Sequence, residues 1–447
     1  RNIDNLSKVL SIECQTFIDL LDNKFSNDHM ECLEKRRRVF EEKNYNFRKD
    51  TEEIRHSKWT AKDSPNYLKK RHIELTGPGN NKRMIINALN SSANAYMLDL
   101  EDSMTPSWNN VIEAHNNINL AVRGNLYDKK INSDGSIKEY KITNIDKPSF
   151  FVRSRGLHMI ENNLTNHGRP ISATIFDIGT FMFHNGKYLY ENNMGPNLYI
   201  PKLESYEDAQ FISKVISECE KLINIPAGST NITVLIETFP AIFQTNEIVY
   251  ALKDNIVGLN CGRWDYLFSM IKCLDSKKIL SDRNLLTMDQ PFLEAYVNQI
   301  VQTCHTRRIH AMGGMPGLIV AIVMKKIKNN MKVNLYEKSY HKCVFLREVS
   351  KKLNLNTEII QKDIFSLKNI ETGTIMSRAF KPMPVILNLV NENFIKYRNI
   401  ILFMGSSGRK ILNETLQEWD LDYEEKKSLT SDNSFILNIK KIKKKIS

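Results

Sequence analysis

Two short apolar, β-branched runs and the segment between them constrain the fold of this chain most. The runs occupy residues 232–236 and 256–259, and residues 241–252 between them have the pattern of a helix. Parallel strands need a crossover of this kind, so the stretch predicts a βαβ unit. An acidic residue comes after each run, Glu237 after the first and Asp265 after the second.

The position of these two acids favours a metal site. In a barrel or a doubly wound sheet, ligands bind beyond the carboxyl ends of the parallel strands. Two carboxylates there, with little else charged nearby, suit a hard divalent cation such as Mg²⁺. In the alternative interpretation Glu237 is a helix N-terminal residue and Asp265 a surface acid, and spacing alone does not separate the two.

Composition narrows the class of protein. The 447 residues are 41% hydrophobic and 26% charged, which is typical of a soluble globular chain with one large and one smaller domain. The seven cysteines include no C-x-x-C pair, and no run of 18 apolar residues occurs, so we expect a reducing, cytoplasmic setting and no membrane partner. The net charge of +12 favours an anionic ligand or nucleic acid, and a merely solvated Lys-rich surface is the alternative.

Apolar runs that end in polar residues recur through the first 314 residues. Residues 1–72 are helical in pattern and rich in Glu, Lys and Arg, which predicts an N-terminal helical clasp. Residues 126–145 predict a hairpin insertion. The runs that predict barrel strands are 95–100, 150–152, 174–176, 198–200, 232–236, 256–259 and 308–312. A closed (β/α)₈ barrel needs an eighth strand, and the sequence predicts none after these.

A different pattern follows residue 314. Helices are predicted at 315–327 and 341–353, and strands at 333–336, 357–360, 374–376 and 399–403. The first of these strands ends in Glu337, about 20 residues after a turn that contains Gly314 and Gly317, as in Rossmann-like sheets that bind a nucleotide ribose. A single glycine turn and a single acid also occur widely by chance.

Longer motifs add specificity to the first part. In order, they are T-G-P (76–78), M-I-I-N-A-L-N-S (84–91), L-E-D-S (100–103), V-R-S-R-G-L-H (152–158), F-D-I-G (176–179), P-K-L-E-S (201–205), L-I-E-T (235–238), G-L-N-C-G-R-W-D-Y (258–266) and H-A-M-G-G (310–314). Together they resemble the A-type malate synthases, which condense acetyl-CoA with glyoxylate on a TIM barrel that holds Mg²⁺. The resemblance stops at Gly314.

The resemblance implies a role for each residue of the site. Glu237 and Asp265 are the implied Mg²⁺ ligands, and Arg153 is the implied cation that faces the enolate oxygen. An ion pair with Asp99 or Glu101 is the alternative for Arg153. The other implied residues are Gly262, Arg263, Trp264 and Arg155 for substrate binding, and Asp99, Glu101 and Asp102 as a second shell.

The general base is not accounted for. In the malate synthases it is an Asp of a C-terminal helical domain, and no acid after Gly314 matches its motif. His158 and His310 are interpreted as barrel histidines that are hydrogen-bonded rather than as bases. We therefore assign no residue of this chain to the base.

The last part of the chain resembles a second family. G-G-M-P-G-L-I-V-A-I (313–322), L-Y-E-K-S-Y-H-K-C-V-F-L-R-E-V (335–349) and S-R-A-F-K-P-M-P (377–384) are similar to small-subunit rRNA guanine-N7 methyltransferases of the RsmG/GidB type. This resemblance implies S-adenosylmethionine as cofactor and rRNA as partner. By motif, Gly314 and Gly317 line the methionine side, Glu337 meets the ribose and Arg378 lies near the substrate. The family's first strand is missing here.

The overall prediction is a composite α/β chain. A TIM (β/α)₈-type barrel that lacks its last strand, with N-terminal helices, is followed by a partial Rossmann-like methyltransferase sheet. The predicted domains are the clasp at 1–72, the barrel at 73–314 and the methyltransferase-like part at 315–447, joined at Gly313 and Gly314. The expected function is malate synthesis from acetyl-CoA and glyoxylate, weakened by the missing base. The alternatives are S-adenosylmethionine-dependent rRNA methylation and a non-catalytic fusion product.

Overall fold

The computed structural model describes residues 2–71, 73–131, 136–144, 147–274, 290–313, 331–338, 340–352, 354–377, 382–404, 408–427 and 435–445. The described residues form two compact units. The first contains those up to 274 together with 291–313, and the second contains Gln290 and those from 331 onward. The predicted helix at 315–327, and the predicted site residues Gly314, Gly317 and Arg378, lie outside the described residues.

The first unit begins with helices that pack on a barrel. In chain order its helices are α1 (Asn2–Val9), α2 (Ile12–Glu42), α3 (Glu52–His56), α4 (Lys82–Leu89), α5 (Trp108–Val122), α6 (Ala173–Phe181), α7 (Lys187–Glu191), α8 (Tyr206–Leu222), α9 (Phe239–Ile242), α10 (Thr245–Ala251), α11 (Arg263–Cys273) and α12 (Pro291–Arg307). Helix α2 starts where the Ser11 side chain accepts a hydrogen bond from the Cys14 N–H, and it ends at Lys43, whose φ is 51°.

Seven strands of this unit form one parallel sheet. The strands in chain order are β1 (Glu74–Pro78), β2 (Ala95–Asp99), β3 (Tyr127–Ile131), β4 (Ile137–Lys141), β5 (Ser149–Arg153), β6 (Ile160–Asn166), β7 (Arg169–Ser172), β8 (Asn197–Ile200), β9 (Asn231–Ile236), β10 (Ile256–Cys261) and β11 (His310–Met312). The sheet order is β1-β2-β5-β8-β9-β10-β11, and β1 and β11 are its two edges. Among the described strands, none joins these edges, so the ring of hydrogen bonds that closes a barrel is open.

The inner face of the sheet carries the core. Side chains from successive strands meet there, including Met97, Phe151, Tyr199 and Leu235, and each is almost fully buried. Leu68, from a short 3₁₀ turn before β1, packs into the same cluster. Burial of each such side chain contributes about 1.5–3 kcal/mol, so this cluster holds the curved sheet together.

The structure corrects one predicted barrel strand and adds another. Residues 174–176 belong to helix α6, whose nine residues are all buried. A helix that is buried on every side lacks an exposed polar face, so its sequence has no clear 3.6-residue periodicity and looks like that of a buried strand. Strand β1 had not been predicted, because it is half exposed and ends in Gly77 and Pro78.

Two other predictions for this unit are confirmed, the hairpin insertion and the last barrel strand. The hairpin insertion is present as β3 paired with β4 in antiparallel orientation. Strand β11 pairs in parallel with β10, through His310, Ala311 and Met312, so this strand belongs to the barrel sheet. The seven cysteines of the chain are free thiols. In the part of the chain that the structure describes, no helix is both long enough and apolar enough to cross a membrane.

The described strands of the second unit form three separate groups. Its helices are α13 (Tyr340–Lys352), α14 (Met383–Asn393) and α15 (Gly408–Glu418), and its strands are β12 (Val333–Tyr336), β13 (Thr357–Ile360), β14 (Ile370–Glu371), β15 (Thr374–Ser377), β16 (Phe394–Lys396), β17 (Asn399–Met404), β18 (Trp419–Lys427) and β19 (Phe435–Lys444). Strands β12 and β13 form a parallel pair, β14 pairs with β16, and β15-β17-β19-β18 form a four-stranded sheet. The four strands predicted from the sequence are therefore all present.

Candidate metal and active site

Three carboxylates meet at the carboxyl ends of the barrel strands. One oxygen from each of Asp102, Glu237 and Asp265 lies within 4.8 Å of the other two. Asp102 follows β2, Glu237 follows β9, and Asp265 is in the first turn of α11 after β10. The predicted pair, Glu237 and Asp265, is therefore brought together. Asp102, which the resemblance placed in a second shell, is part of the same group.

Lys202 lies among these carboxylates. Its Nζ is 3.1 Å from Asp102, 3.2 Å from both Glu237 and Asp265, and 3.5 Å from Glu101. Its backbone N–H also donates to Glu237 Oε1, at 3.0 Å. Sequence reasoning missed this residue, although P-K-L-E-S was among the motifs. The available signal was its position two residues after the end of a strand whose carboxyl end faces the site.

The loop that carries Lys202 is held by the N-terminal helices. Lys202 has a φ of 54°, in the left-handed region that few non-glycine residues adopt. Arg36 of α2 donates to the Lys202 carbonyl at 2.9 Å and to Asp208 Oδ2 at 2.8 Å. Asp208 completes a capping box with Ser205 at the start of α8. Helix α2 therefore fixes the backbone of the site loop.

The three carboxyl groups outnumber the two cationic side chains beside them, Lys202 and Arg153. Glu237 is 1% exposed, and its Oε2 has no hydrogen-bond partner among the residues that the structure describes. Burial raises the pKa of Glu237 to about 7, although the charge of Lys202 opposes the shift. Burial likewise raises the pKa of Glu101 to about 8, against the charges of Lys202 and Arg153. A further cation at this position would stabilise both carboxylates.

Gly262 makes room for this arrangement. A Cβ at this position would lie 2.6 Å from the Cβ of Glu237 and 2.8 Å from its Oε2. Gly262 precedes helix α11, whose first residues are Arg263 and Trp264. The Arg263 guanidinium stacks 4.1 Å from the Trp264 ring centroid, and Trp264 is 37% exposed. The start of this helix therefore lies beside the carboxylates.

Arg153 adopts the ion pair that was the alternative interpretation. Its Nε and Nη2 donate to the two oxygens of Asp99, at 2.7 and 2.6 Å. Its Nη1 lies 3.2 Å from Asp102 and 3.8 Å from Glu101, so the same guanidinium also borders the acidic group. Although burial opposes it, the bonds from Arg153 lower the pKa of Asp99. Asp99 therefore orients Arg153 towards the site.

Arg155 is held elsewhere. It is 2% exposed, and it donates to Asp177 through Nη2 at 2.9 Å and to Glu161 through Nη1 at 2.8 Å. His115 also contacts Asp177. Strand β5 ends at Arg153, so the alternation that would put residues 153 and 155 on one face stops there. The Arg155 guanidinium is thus paired with Asp177 and Glu161 rather than with the acidic group, and its substrate-binding role stays a prediction.

One predicted residue of the second unit is described. Glu337 directly follows β12, and its N–H donates to the Ile360 carbonyl at the end of β13, at 3.1 Å. The acid therefore lies at the carboxyl end of a parallel strand pair, as the Rossmann-like pattern requires.

The fold and the position of the site are those of a TIM-barrel enzyme. An open, parallel barrel sheet has carboxylates, a lysine and an arginine at its carboxyl ends, which is the usual place for the active site of a TIM-barrel enzyme. Residues 149–340 match the family model "Malate synthase, TIM barrel domain", and residues 301–438 match "rRNA small subunit methyltransferase G". The resemblances predicted from the motifs are thus confirmed in both parts of the chain.

Individual relatives agree with the first match. The malate synthase of Myxococcus xanthus (strain DK1622) is 40% identical over 319 residues, which are 70% of this chain and 58% of that protein. Malate synthase A of Escherichia coli (strain K12) is 43% identical over 276 residues, 61% of this chain and 50% of that protein. The chain thus spans about half the length of the curated relatives it matches.

Among solved structures, the pyruvate/acetyl-CoA ternary complex of Haloferax volcanii malate synthase aligns with 66% of this chain and 68% of that one. The TM-score is 0.37 and the identity 11%.

Proposed function

We propose that the first unit carries out a malate synthase-type condensation of acetyl-CoA with glyoxylate, giving malate and free coenzyme A. The observation that supports it most is the group of Asp102, Glu237 and Asp265 at the carboxyl ends of β2, β9 and β10. This group occurs in a chain that is about 40% identical to malate synthases over most of its N-terminal part.

The residues fit a hard divalent cation. Three carboxylate oxygens within 4.8 Å of one another, and a buried Glu237 Oε2 without a hydrogen-bond partner in the described part of the chain, form an oxygen-rich site. Glu237 and Asp265 would hold Mg²⁺, with Asp102 beside them. The chemistry that Mg²⁺ supplies when bound is polarisation of the aldehyde carbonyl of glyoxylate.

The protein's own groups orient the substrates and stabilise charge. The Arg153 guanidinium, fixed by two bonds to Asp99, presents Nη1 towards the site and stabilises the negative charge of the enolate oxygen of acetyl-CoA. The N–H groups at Gly262, Arg263 and Trp264, at the start of α11, bind the carboxylate of glyoxylate.

The proton acceptor for the methyl group of acetyl-CoA is not assigned to a residue of this chain. A positioned base contributes about 10²–10⁴-fold to such a step. The condensation by this chain is therefore expected to be slow.

Release of the coenzyme A thiol, measured with acetyl-CoA, glyoxylate and Mg²⁺, tests the proposal. Glyoxylate-dependent release should be detectable, and Glu237→Gln should abolish it. Glu218→Gln is the matched control, since Glu218 pairs with Lys24 on the surface, at 2.6 Å. Release that is the same with Glu237→Gln as with the unchanged chain would refute the proposed site.

For the second unit we propose S-adenosylmethionine-dependent methylation of small-subunit rRNA as the alternative function. The family match over residues 301–438 and the position of Glu337 after β12 support it. The carboxylate of Glu337 would accept hydrogen bonds from the ribose of the cofactor. Transfer of labelled methyl groups to small ribosomal subunits should be reduced by Glu337→Gln and unchanged by Glu358→Gln, an exposed acid paired with Lys332. Absence of transfer by the unchanged chain would refute it.

A further inference from the structure

The Lys202 ammonium group is surrounded by carboxylates. Four of them, Glu101, Asp102, Glu237 and Asp265, have an oxygen between 3.1 and 3.5 Å from its Nζ. The Lys202 side chain is 17% exposed, so water replaces little of this pairing. One positive charge is therefore shared by several acids that would otherwise repel one another.

The same oxygens would bind a divalent cation. Mg²⁺ binds carboxylate oxygens at about 2.0–2.1 Å. An ion between Glu237 and Asp265 would occupy the space where the ammonium group now lies 3.2 Å from each. Two cations that share these two oxygens would repel each other strongly at such short range.

We infer that Lys202 is a tethered counter-cation of this site, which holds the carboxylates together without metal and is displaced when a divalent cation binds. The inference rests on the proposed metal site and adds a residue that competes for it. Lys202 thus sets how tightly the site binds metal, and it is a positioning residue for the carboxylates.

The structure also provides a place for the displaced ammonium group. Asp102 and Glu101 lie 3.1 and 3.5 Å from Nζ, on the side of Arg153. Both Oε atoms of Glu101 are buried without a hydrogen-bond partner among the described residues. A shift of the ammonium towards Glu101 would satisfy one of these oxygens.

The backbone of Lys202 does not need to move. Its N–H is bonded to Glu237 Oε1 at 3.0 Å, and its carbonyl accepts from Arg36 at 2.9 Å. The displacement is therefore a change of side-chain rotamer, which costs much less than moving the loop.

Binding of Mn²⁺, measured from the loss of the free-ion electron paramagnetic resonance signal, tests the inference without any assay of turnover. Lys202→Met removes the competing charge and should tighten Mn²⁺ binding by about tenfold or more. Lys62→Met is the control, because Lys62 is a largely buried lysine that donates to the carbonyls of Gly228 and Thr230, and it should leave Mn²⁺ affinity unchanged.

A second readout is the melting temperature. Without metal, Lys202→Met should melt at a lower temperature than the unchanged chain, because the carboxylates lose their counter-charge. Addition of Mn²⁺ should raise the melting temperature of Lys202→Met by more than it raises that of the unchanged chain. Lys202→Gln keeps a polar group and serves as the second variant if the methionine variant does not fold. Lys202→Gln is also expected to bind Mn²⁺ more tightly than the unchanged chain does.

The outcomes separate the inference from the metal site itself. Mn²⁺ that binds to the unchanged chain, but equally well or more weakly to the folded Lys202 variants, would overturn the role of Lys202 and leave the metal site supported. Folded variants and an unchanged chain that all fail to bind Mn²⁺ would overturn both.

Discussion

Arg153 takes its orientation from one buried carboxylate. The two bonds to Asp99 use the planar fork of the guanidinium, a geometry that lysine does not reproduce. Asp99 also accepts hydrogen bonds from the Glu101 and Ser103 N–H groups, so it anchors the loop after β2 as well. One residue thus connects the arginine of the site to the acids around it.

Asp99→Asn should therefore destabilise the first unit. Asp99 is fully buried and Arg153 nearly so, and removal of one partner leaves a buried charge with less compensation, which costs about 3–5 kcal/mol. The free energy of unfolding in urea measures this. Asp128→Asn is the matched control, because the Asp128–Arg83 pair is half exposed and contributes at most about 1 kcal/mol. Equal effects of the two substitutions would contradict the prediction.

Gly262→Ala should disturb the acidic group directly. The added Cβ would lie 2.6 Å from the Cβ of Glu237, an atom that cannot turn away without a backbone shift. Overpacking of this kind costs about 1–3 kcal/mol, and it should also weaken Mn²⁺ binding. Gly373→Ala, which meets nothing within 4 Å, should change neither the melting temperature nor the Mn²⁺ affinity. Unchanged Mn²⁺ binding by Gly262→Ala would show that metal binding does not depend on the present position of Glu237.

At the scale of elements, strands were easier to predict than the loops between them. Strands β9 and β10 are long buried apolar runs, so their ends, and with them Glu237 and Asp265, could be placed from the sequence. Helix α6 could not, because a helix buried on every side has no periodicity to distinguish it. The position of Lys202 depends on a left-handed backbone and on a contact from α2, far away in the sequence, which no local pattern encodes.

Two histidines, the buried His29 and the half-buried His184, connect helices to the rest of the first unit. His29 of α2 contacts the Leu157 carbonyl, and His184 contacts the Val9 carbonyl of α1, each through Nε2 at 2.7 Å. Burial is the main cause that lowers the pKa of both imidazoles, although the hydrogen bonds oppose it. Protonation of either imidazole is therefore less favourable in the folded chain than in the unfolded one.

Stability should consequently depend on pH through these histidines. Their pKa is lower in the folded chain than the value of about 6.5 in an unfolded one, so the unfolded state binds more protons as the pH falls below that value. Their contribution is complete above about pH 6.5 and is lost as the pH falls towards the lowered pKa. Glu101 and Glu237 have raised pKa values, so their contribution to stability changes with pH in the opposite direction. The contribution of one histidine is therefore measured by comparing a variant that lacks it with the unchanged chain.

His29→Gln should therefore lose less stability than the unchanged chain between pH 7.5 and 5.5, while it is less stable at the higher pH. Melting temperatures across this range measure the difference. His56→Gln is the control, since the His56 side chain is 73% exposed. An identical pH dependence for His29→Gln and the unchanged chain would exclude His29 as a contributor.

At the scale of the whole chain, strand pairing is incomplete in both units among the described residues. The barrel sheet ends in the edges β1 and β11, and edge strands have backbone groups without strand partners. In the second unit, the β12–β13 pair shares no ladder with the sheet that contains β15 and β17 in the described residues. The two family matches overlap between residues 301 and 340, around the predicted join. The domain limits at 72 and 314 remain predictions. Sequencing of the transcript across codons 305–325 would test whether the join at Gly313 and Gly314 is genuine.

The ring of strands, which is open among the described residues, and the unassigned base together predict slow turnover. A general base contributes about 10²–10⁴-fold, and an open barrel admits water to a site whose electrostatic interactions are stronger when it is dry. Thiol release by this chain should therefore be at least ~10³-fold slower than by an intact malate synthase under the same conditions. The Glu237→Gln variant gives the background rate. Turnover near the usual 1–10³ s⁻¹ of enzymes would show instead that this chain contains a base, and substitution of the acids around Arg153 would then locate it.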